Sequence, residues 1–162
     1  MSIICLTFLC LCLSFALALH IPPHNCDKYF RYSTVDNGNT FIGICTAPLV
    51  PTLNFYWKAT FEVQEYHGMF LSALQPYPNR EEAGISFLKG EPVQAYVRFV
   101  NITTELPKLY SLILNGNELC SNIGYPLPRT RASAEHHMSI NLKRGDSSQE
   151  STPNYKMDIE RV

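Results

Sequence analysis

The sequence predicts an all-β fold: a single β-sandwich-like domain of about seven strands, followed by a disordered C-terminal tail. Three observations lead there. Leu53, Phe55, Trp57, Ala59, Phe61 and Val63 alternate with Asn54, Tyr56, Lys58, Thr60 and Glu62, which is a strand with one buried face. Val93, Ala95, Val97 and Phe99 repeat that period against Gln94, Tyr96 and Arg98. Glycine, proline and asparagine then punctuate the chain at short intervals, leaving room for strands and little room for helices.

In chain order, Lys28–Val35 and Phe41–Thr46 are short strand candidates. The long strand 52–63 follows, then Tyr66–Leu74 as another candidate. Arg80–Lys89 is the one plausible helix, about two turns, ended by Gly90 and Pro92. Strand 93–99 comes next, then Leu109–Asn115. Asn115-Gly116 is the best hairpin turn in the chain, because both residues tolerate positive φ, and it leads into Asn117–Cys120. From Ser121 the periodicity stops. Pro126, Pro128 and Pro153 and the run Gly145-Asp-Ser-Ser-Gln-Glu-Ser-Thr-Pro mark 124–162 as a disordered tail or linker stub, leaving 24–123 as the folded domain.

Residues 1–18 form a further segment. Ile3–Leu19 is apolar apart from Thr7 and Ser14, has no charged side chain, and ends on the small residues Ala16 and Ala18. It reads as a secretory signal cleaved after Ala18, since a membrane anchor needs about 20 apolar residues and basic flanks. The expectation is a secreted, extracellular protein with no membrane span after cleavage. A formal net charge of −1 without a basic segment argues against a nucleic-acid partner.

Of the six cysteines, Cys5, Cys10 and Cys12 would leave with the signal. The odd number remaining means one bridge and a spare thiol, or an intermolecular bond. Cys26 and Cys120 lie just outside the first and last structured stretches, where a bridge could close the domain. In the chain-entropy model such a loop stabilises by about 4–5 kcal/mol. Cys45, within Phe41-Ile-Gly-Ile-Cys-Thr, reads as a buried small hydrophobe, because no CxxC or basic neighbour activates it. No zinc pattern is present.

Each of the remaining motifs has a plainer reading beside its functional one. Asn101-Ile102-Thr103 is a glycosylation sequon after a predicted strand, so it should sit on an exposed turn. Arg144-Gly145-Asp146 spells an integrin-recognition tripeptide in the tail, although three residues recur readily by chance. Lys143-Arg144 would suit a trypsin-like protease. Gly145-Asp146-Ser147 echoes a trypsin-like nucleophile motif, but Ser148-Gln149 replace the glycines that shape an oxyanion hole. His20, His24, His67, His136 and His137 form no catalytic or metal-ligating frame, so no enzyme activity, metal or cofactor is expected. Cleavage after Leu19, which a copper site at His20 would need, puts too large a side chain before the cut.

One block carries a family likeness: Leu106-Pro-Lys-Leu-Tyr-Ser-Leu-Ile-Leu-Asn-Gly-Asn-Glu-Leu-Cys120. Cys26 with Phe30 and Tyr32, Phe41-x-Gly43, Tyr66-x-Gly68, and Gly90-Glu-Pro92 leading to Val97-x-Phe99 add to it. Over this span the chain resembles the N-terminal domain of the gastrulation-defective family of insect serine proteases. The resemblance implies a secreted, non-catalytic front end of a protease zymogen acting in an extracellular cascade. It carries over Cys26 and Cys120 as a bridge, and Gly43, Gly68, Gly90, Pro92 and Gly116 as shape-setting positions. Nothing catalytic transfers.

The expected function is a secreted binding or regulatory module whose partner is a serine protease, its substrate or a matrix component. The alternatives are the N-terminal fragment of a trypsin-like zymogen and, below it, an integrin ligand. Contact would use loops or an edge strand. Tyr56 and Tyr96, on the outer faces of two predicted strands, are the candidate contact residues, against a plainer role as cross-strand aromatics.

Overall fold

The computed structural model describes residues 19–65, 68–140 and 159–161. Two antiparallel sheets face each other across an apolar core. The first holds β1 (Phe30–Val35), β2 (Thr40–Thr46), β5 (Gln94–Arg98) and β4 (Gln75–Tyr77), in that order. The second holds β7 (Asn117–Ser121), β6 (Lys108–Leu114), β3 (Asn54–Gln64), β8 (Arg129–Ser139) and β9 (Ile159–Arg161). The all-β sandwich expected from the alternating pattern is what forms.

Alternation decides which side chains meet. Phe55, Trp57, Ala59 and Phe61 of β3 point inward and are buried, as are Ala95 and Val97 of β5. Phe30, Phe61 and Phe99 bridge the two sheets, with ring centroids 5.7 Å apart for Phe30–Phe61 and 5.3 Å for Phe61–Phe99. Each such side chain contributes about 1.5–3 kcal/mol through burial. Asn115 (φ 51°) and Gly116 (φ 79°) both adopt left-handed backbone, so a two-residue turn joins the paired Leu114 and Asn117.

The two open sides of the sandwich are closed differently. On the β1/β7 side, Cys26 is bonded to Cys120 with Cα atoms 5.7 Å apart, the bridge that the family resemblance implies. Cys45 is free and buried, and burial pushes its thiol up to about 12. On the β4/β8 side sits α1 (Arg80–Leu88). Asn79 caps it, its side chain accepting the Glu82 N–H at 2.9 Å. Ala83 is buried, and Phe87 meets Phe55 edge-on at 6.1 Å.

Two expectations change. Tyr66–Leu74 does not form a strand in its described part. Leu71 makes a single bridge to Phe99, and Ser72 N–H donates to the Arg98 carbonyl at 2.9 Å. The edge strand β4, carrying Pro76, takes the place of that strand. The folded region also does not end at residue 123, because Arg129–Ser139 is the long strand β8, paired with β3 from Asn54↔Ser139 to Gln64↔Arg129. Its inward residues are small, Ala132 and Ala134, which is why hydrophobic periodicity failed to mark it.

What holds β8 in place is a buried carboxylate. Glu62 faces the outer side of β3, yet it is fully buried. Its Oε1 accepts from Arg131 Nε at 2.8 Å and lies 3.1 Å from Arg129 Nε. Its Oε2 accepts the Tyr125 backbone N–H at 2.8 Å. The loop before β8 therefore folds over this carboxylate, and only glycine fits at 124, where a Cβ would come within 2.9 Å of Glu62 Oε2. Arg131 also stacks on Tyr110, 3.6 Å from the ring centroid.

Two predictions follow from these contacts. Removing one partner from a buried ion cluster strands the others, so Glu62→Ala should lower stability by about 3–5 kcal/mol, read as a fall in the urea midpoint. A loss under about 1 kcal/mol would show that the cluster contributes little. His136, on the inward side of β8, has its pKa lowered from 6.5 by burial first, then by the charges of Arg80 and His137. The folded state thus binds fewer protons than the unfolded chain. This contribution is fully present above about pH 6.5 and is lost as pH falls toward the lowered folded value. His136→Gln should flatten the stability profile in mildly acidic buffer, and an unchanged slope would contradict this account.

Candidate protein-binding surface

Helix α1 has two apolar stripes rather than one. Ala83 and Phe87, four residues apart, turn inward. Ile85 and Leu88, three apart, face solvent, with Leu88 69% exposed. The loop between β2 and β3 adds Pro48, Leu49, Val50 and Pro51, with Leu49 also 69% exposed. These residues gather at one end of the sandwich and flank two depressions. One, of about 350 Å³, lies between the Pro48–Pro51 loop and Phe87. The other, of about 300 Å³, separates Ile85 and Leu88 of α1 from Met138 and Ile140 at the end of β8. Clustered exposed apolar side chains of this size mark contact surfaces in soluble proteins.

The predicted contact residues lie elsewhere. Tyr96 does face outward from its sheet, but it is buried, with 8% exposure, against Ile42 and Ile44. Its hydroxyl donates to Gln75 Oε1 at 3.0 Å, and Tyr77 meets it edge-on. It is a structural residue of the outer face, where edge strand β4 supplies its cover. Tyr56 is 42% exposed and its hydroxyl donates to Glu135, which also pairs with Lys58 at 3.0 Å. That network is a cross-strand ladder between β3 and β8.

The remaining candidates are dispersed. Asn101 is exposed in the loop between β5 and β6, with φ 56°, and its Nδ2 donates to the Met69 carbonyl at 2.8 Å. His20 lies beside Glu105, with its backbone bonded to Thr104 and Leu106. His24 pairs loosely with Asp27, and His136 and His137 alternate on β8. Residues 1–18, His67, and the tail segment with Lys143, Arg144, Gly145, Asp146 and Ser147 lie outside the described residues. Among the described residues, no group of three or more His, Cys, Asp or Glu could hold a metal ion. No helix among them is long and apolar enough to cross a membrane.

Sequence reasoning missed the apolar end. Its signal was available in the helix, where Ile85 and Leu88 fall off the stripe defined by Ala83 and Phe87, and in the unusual run Pro48-Leu-Val-Pro51.

Among known proteins, the family model described as the serine protease gd N-terminus matches residues 24–130. Neither the curated proteins nor the solved structures give a match. The family match takes in both bridged cysteines, Glu62 and the first residues of β8, and it covers well over half of the chain. The chain therefore belongs to the family of serine protease gd N-terminal domains.

Proposed function

We propose that this chain is a secreted, non-catalytic binding module that works alongside an extracellular serine protease, and that the α1 end of the sandwich is its contact surface. The observation carrying this reading is the pair of apolar depressions flanked by Leu49, Ile85 and Leu88. A stable fold gains little from leaving such side chains in water, whereas an interface gains from burying them. Family membership supplies the protease context, because this domain stands at the N-terminus of serine proteases.

The same membership favours a second reading, in which the domain is joined in cis to a catalytic domain and the α1 end docks on it. An antibody to residues 24–120 separates the two on a reducing gel of secreted fluid. A band at the mass of this chain fits the free module, and a band tens of kDa heavier fits the zymogen.

The surface itself is tested with a photo-crosslinking residue at Leu49 in the full chain. Adducts containing serine protease peptides are expected, and Leu88→Glu should cut their yield about tenfold, the size of a typical buried apolar contact, with the unfolding midpoint unchanged. Adducts free of protease sequence would overturn the protease reading. Asn101 is the proposed glycan site. N-glycosidase should lower the mass of the secreted protein, and Asn101→Gln should abolish the shift. No shift in the native protein would show the site to be unoccupied.

A further inference from the structure

The stripe that α1 turns to solvent is made by Glu81, Gly84, Ile85 and Leu88. These positions recur at i, i+3, i+4 and i+7, so they share one face of the helix. Glu81, Ile85 and Leu88 are exposed, and Gly84 is half-buried. Ala83 and Phe87 on the inward stripe already anchor the helix to the sandwich. The outward stripe is therefore free to meet something else.

Gly84 stands out within this stripe. Glycine is disfavoured in a helix interior, and a Cβ at this position would meet no atom of the surrounding structure within 4 Å, so the fold itself does not require it. What the missing side chain provides is room. Gly84 lines the depression of about 300 Å³ whose other walls include Ile85, Leu88, Met138 and Ile140. One helix face thus carries a hole at Gly84 and an exposed apolar knob at Leu88, one turn further on.

The charges along α1 have a direction as well. Glu81 and Glu82 stand in its first turn, and Lys89 is its C-terminal capping residue. Glu82 and Lys89 are seven residues apart, close to two full turns, so they lie on the same flank of the outward stripe. Neither forms an ion pair among the described residues. A partner matched to this face needs an apolar knob level with Gly84, a small residue level with Leu88, a cation opposite Glu82 and an anion opposite Lys89. A second α1, run antiparallel, supplies all four.

Building on the reading of this end as a contact surface, we propose that a second copy of the chain occupies it, with the two α1 helices antiparallel about a twofold axis near Ile85. Leu88 of each copy enters the depression at Gly84 of the other, and Glu82 of each faces Lys89 of the other. A twofold interface is self-complementary, so every contact is made twice. A parallel arrangement would instead crowd the two acidic first turns together, and flanking charges of this kind set helix orientation. The second copy covers Ile85 and Leu88 in the free chain, and a protease that uses the same side chains displaces it. One nine-residue helix and one depression make a small interface, so the dimer is reversible in the micromolar range.

The test is sedimentation velocity on the full chain over a concentration series, where a reversible dimer is expected. Gly84→Leu fills the hole and Leu88→Glu charges the knob. Each should weaken the dimer at least about tenfold and leave the unfolding midpoint in place. Lys89→Glu sets like charges against each other and should weaken it about tenfold, while adding Glu82→Lys should restore it to within about threefold. Two turns separate these residues on one helix, too far for a direct pair, so restoration reports a contact between copies. A monomer at every concentration up to about 0.2 mM would overturn the proposal. If the Leu49 adducts with protease persist in that case, the contact-surface reading stands without the second copy. A dimer indifferent to Gly84→Leu and Leu88→Glu would place the contact elsewhere and overturn the proposal too, as would a double charge reversal that fails to restore association. A dimer that responds as expected, in a chain that gives no protease adducts, would support the second copy and remove the protease as partner.

Discussion

The carboxylate of Glu62 is the contact on which the rest of the sandwich depends. Its position on the outer side of β3 would ordinarily leave it in water. Instead the chain after β7 turns back over the sheet, brings the Tyr125 N–H to one oxygen, and sends Arg129 and Arg131 of β8 to the other. A buried charge is tolerated only when its lone pairs are occupied, and here the occupants come from a loop and a strand 63 or more residues away in sequence. The carboxylate therefore fixes the path of the chain between the second bridged cysteine and β8. Any displacement of β8 would open the Trp57 side of the core and remove one wall of the depression beside α1.

This dependence also explains which parts of the structure could be read in the sequence. β3, β5 and the Asn115-Gly116 hairpin were legible because each is decided locally, by alternation or by two residues that accept positive φ. The helix was legible for the same reason, ended by Gly90 and Pro92. β8 was not. Its inward positions are Thr130, Ala132, Ala134 and Met138, whose contrast with the outward charges is low, and Pro126 and Pro128 before it suggested a linker. Its place in the sheet is specified by ion pairs to Glu62, and a long-range partner leaves no periodic trace.

Tyr96 and Glu62 failed for a related reason. A period-two pattern assigns faces correctly, and both residues do lie on outer faces. It does not reveal whether an outer face is covered. Tyr96 is covered by neighbours on β2 and β4, and Glu62 by the loop before β8. Leu88 and Leu49 show the opposite case, apolar side chains left in solvent by a chain that buries a glutamate elsewhere. Burial in this domain is thus assigned by topology, not by polarity alone.

The poles of the sandwich consequently differ in what they can offer. The loop between β5 and β6, with Asn101, and the Gln64 end of β3 lie at one pole, where Tyr125 and Gln64 donate to Glu105. The Asn54 end of β3, the Ser139 end of β8 and α1 lie at the other. A glycan on Asn101 would extend from the first pole and leave the apolar end clear. The disulfide closes the β1/β7 side, so neither a glycan there nor the bridge would obstruct the two depressions at the α1 end. Exposed apolar side chains such as Leu49 and Leu88 are an aggregation hazard unless something covers them. That Leu49, Ile85 and Leu88 gather at this pole, clear of both the disulfide and the Asn101 loop, is the physical reason to look for the partner there.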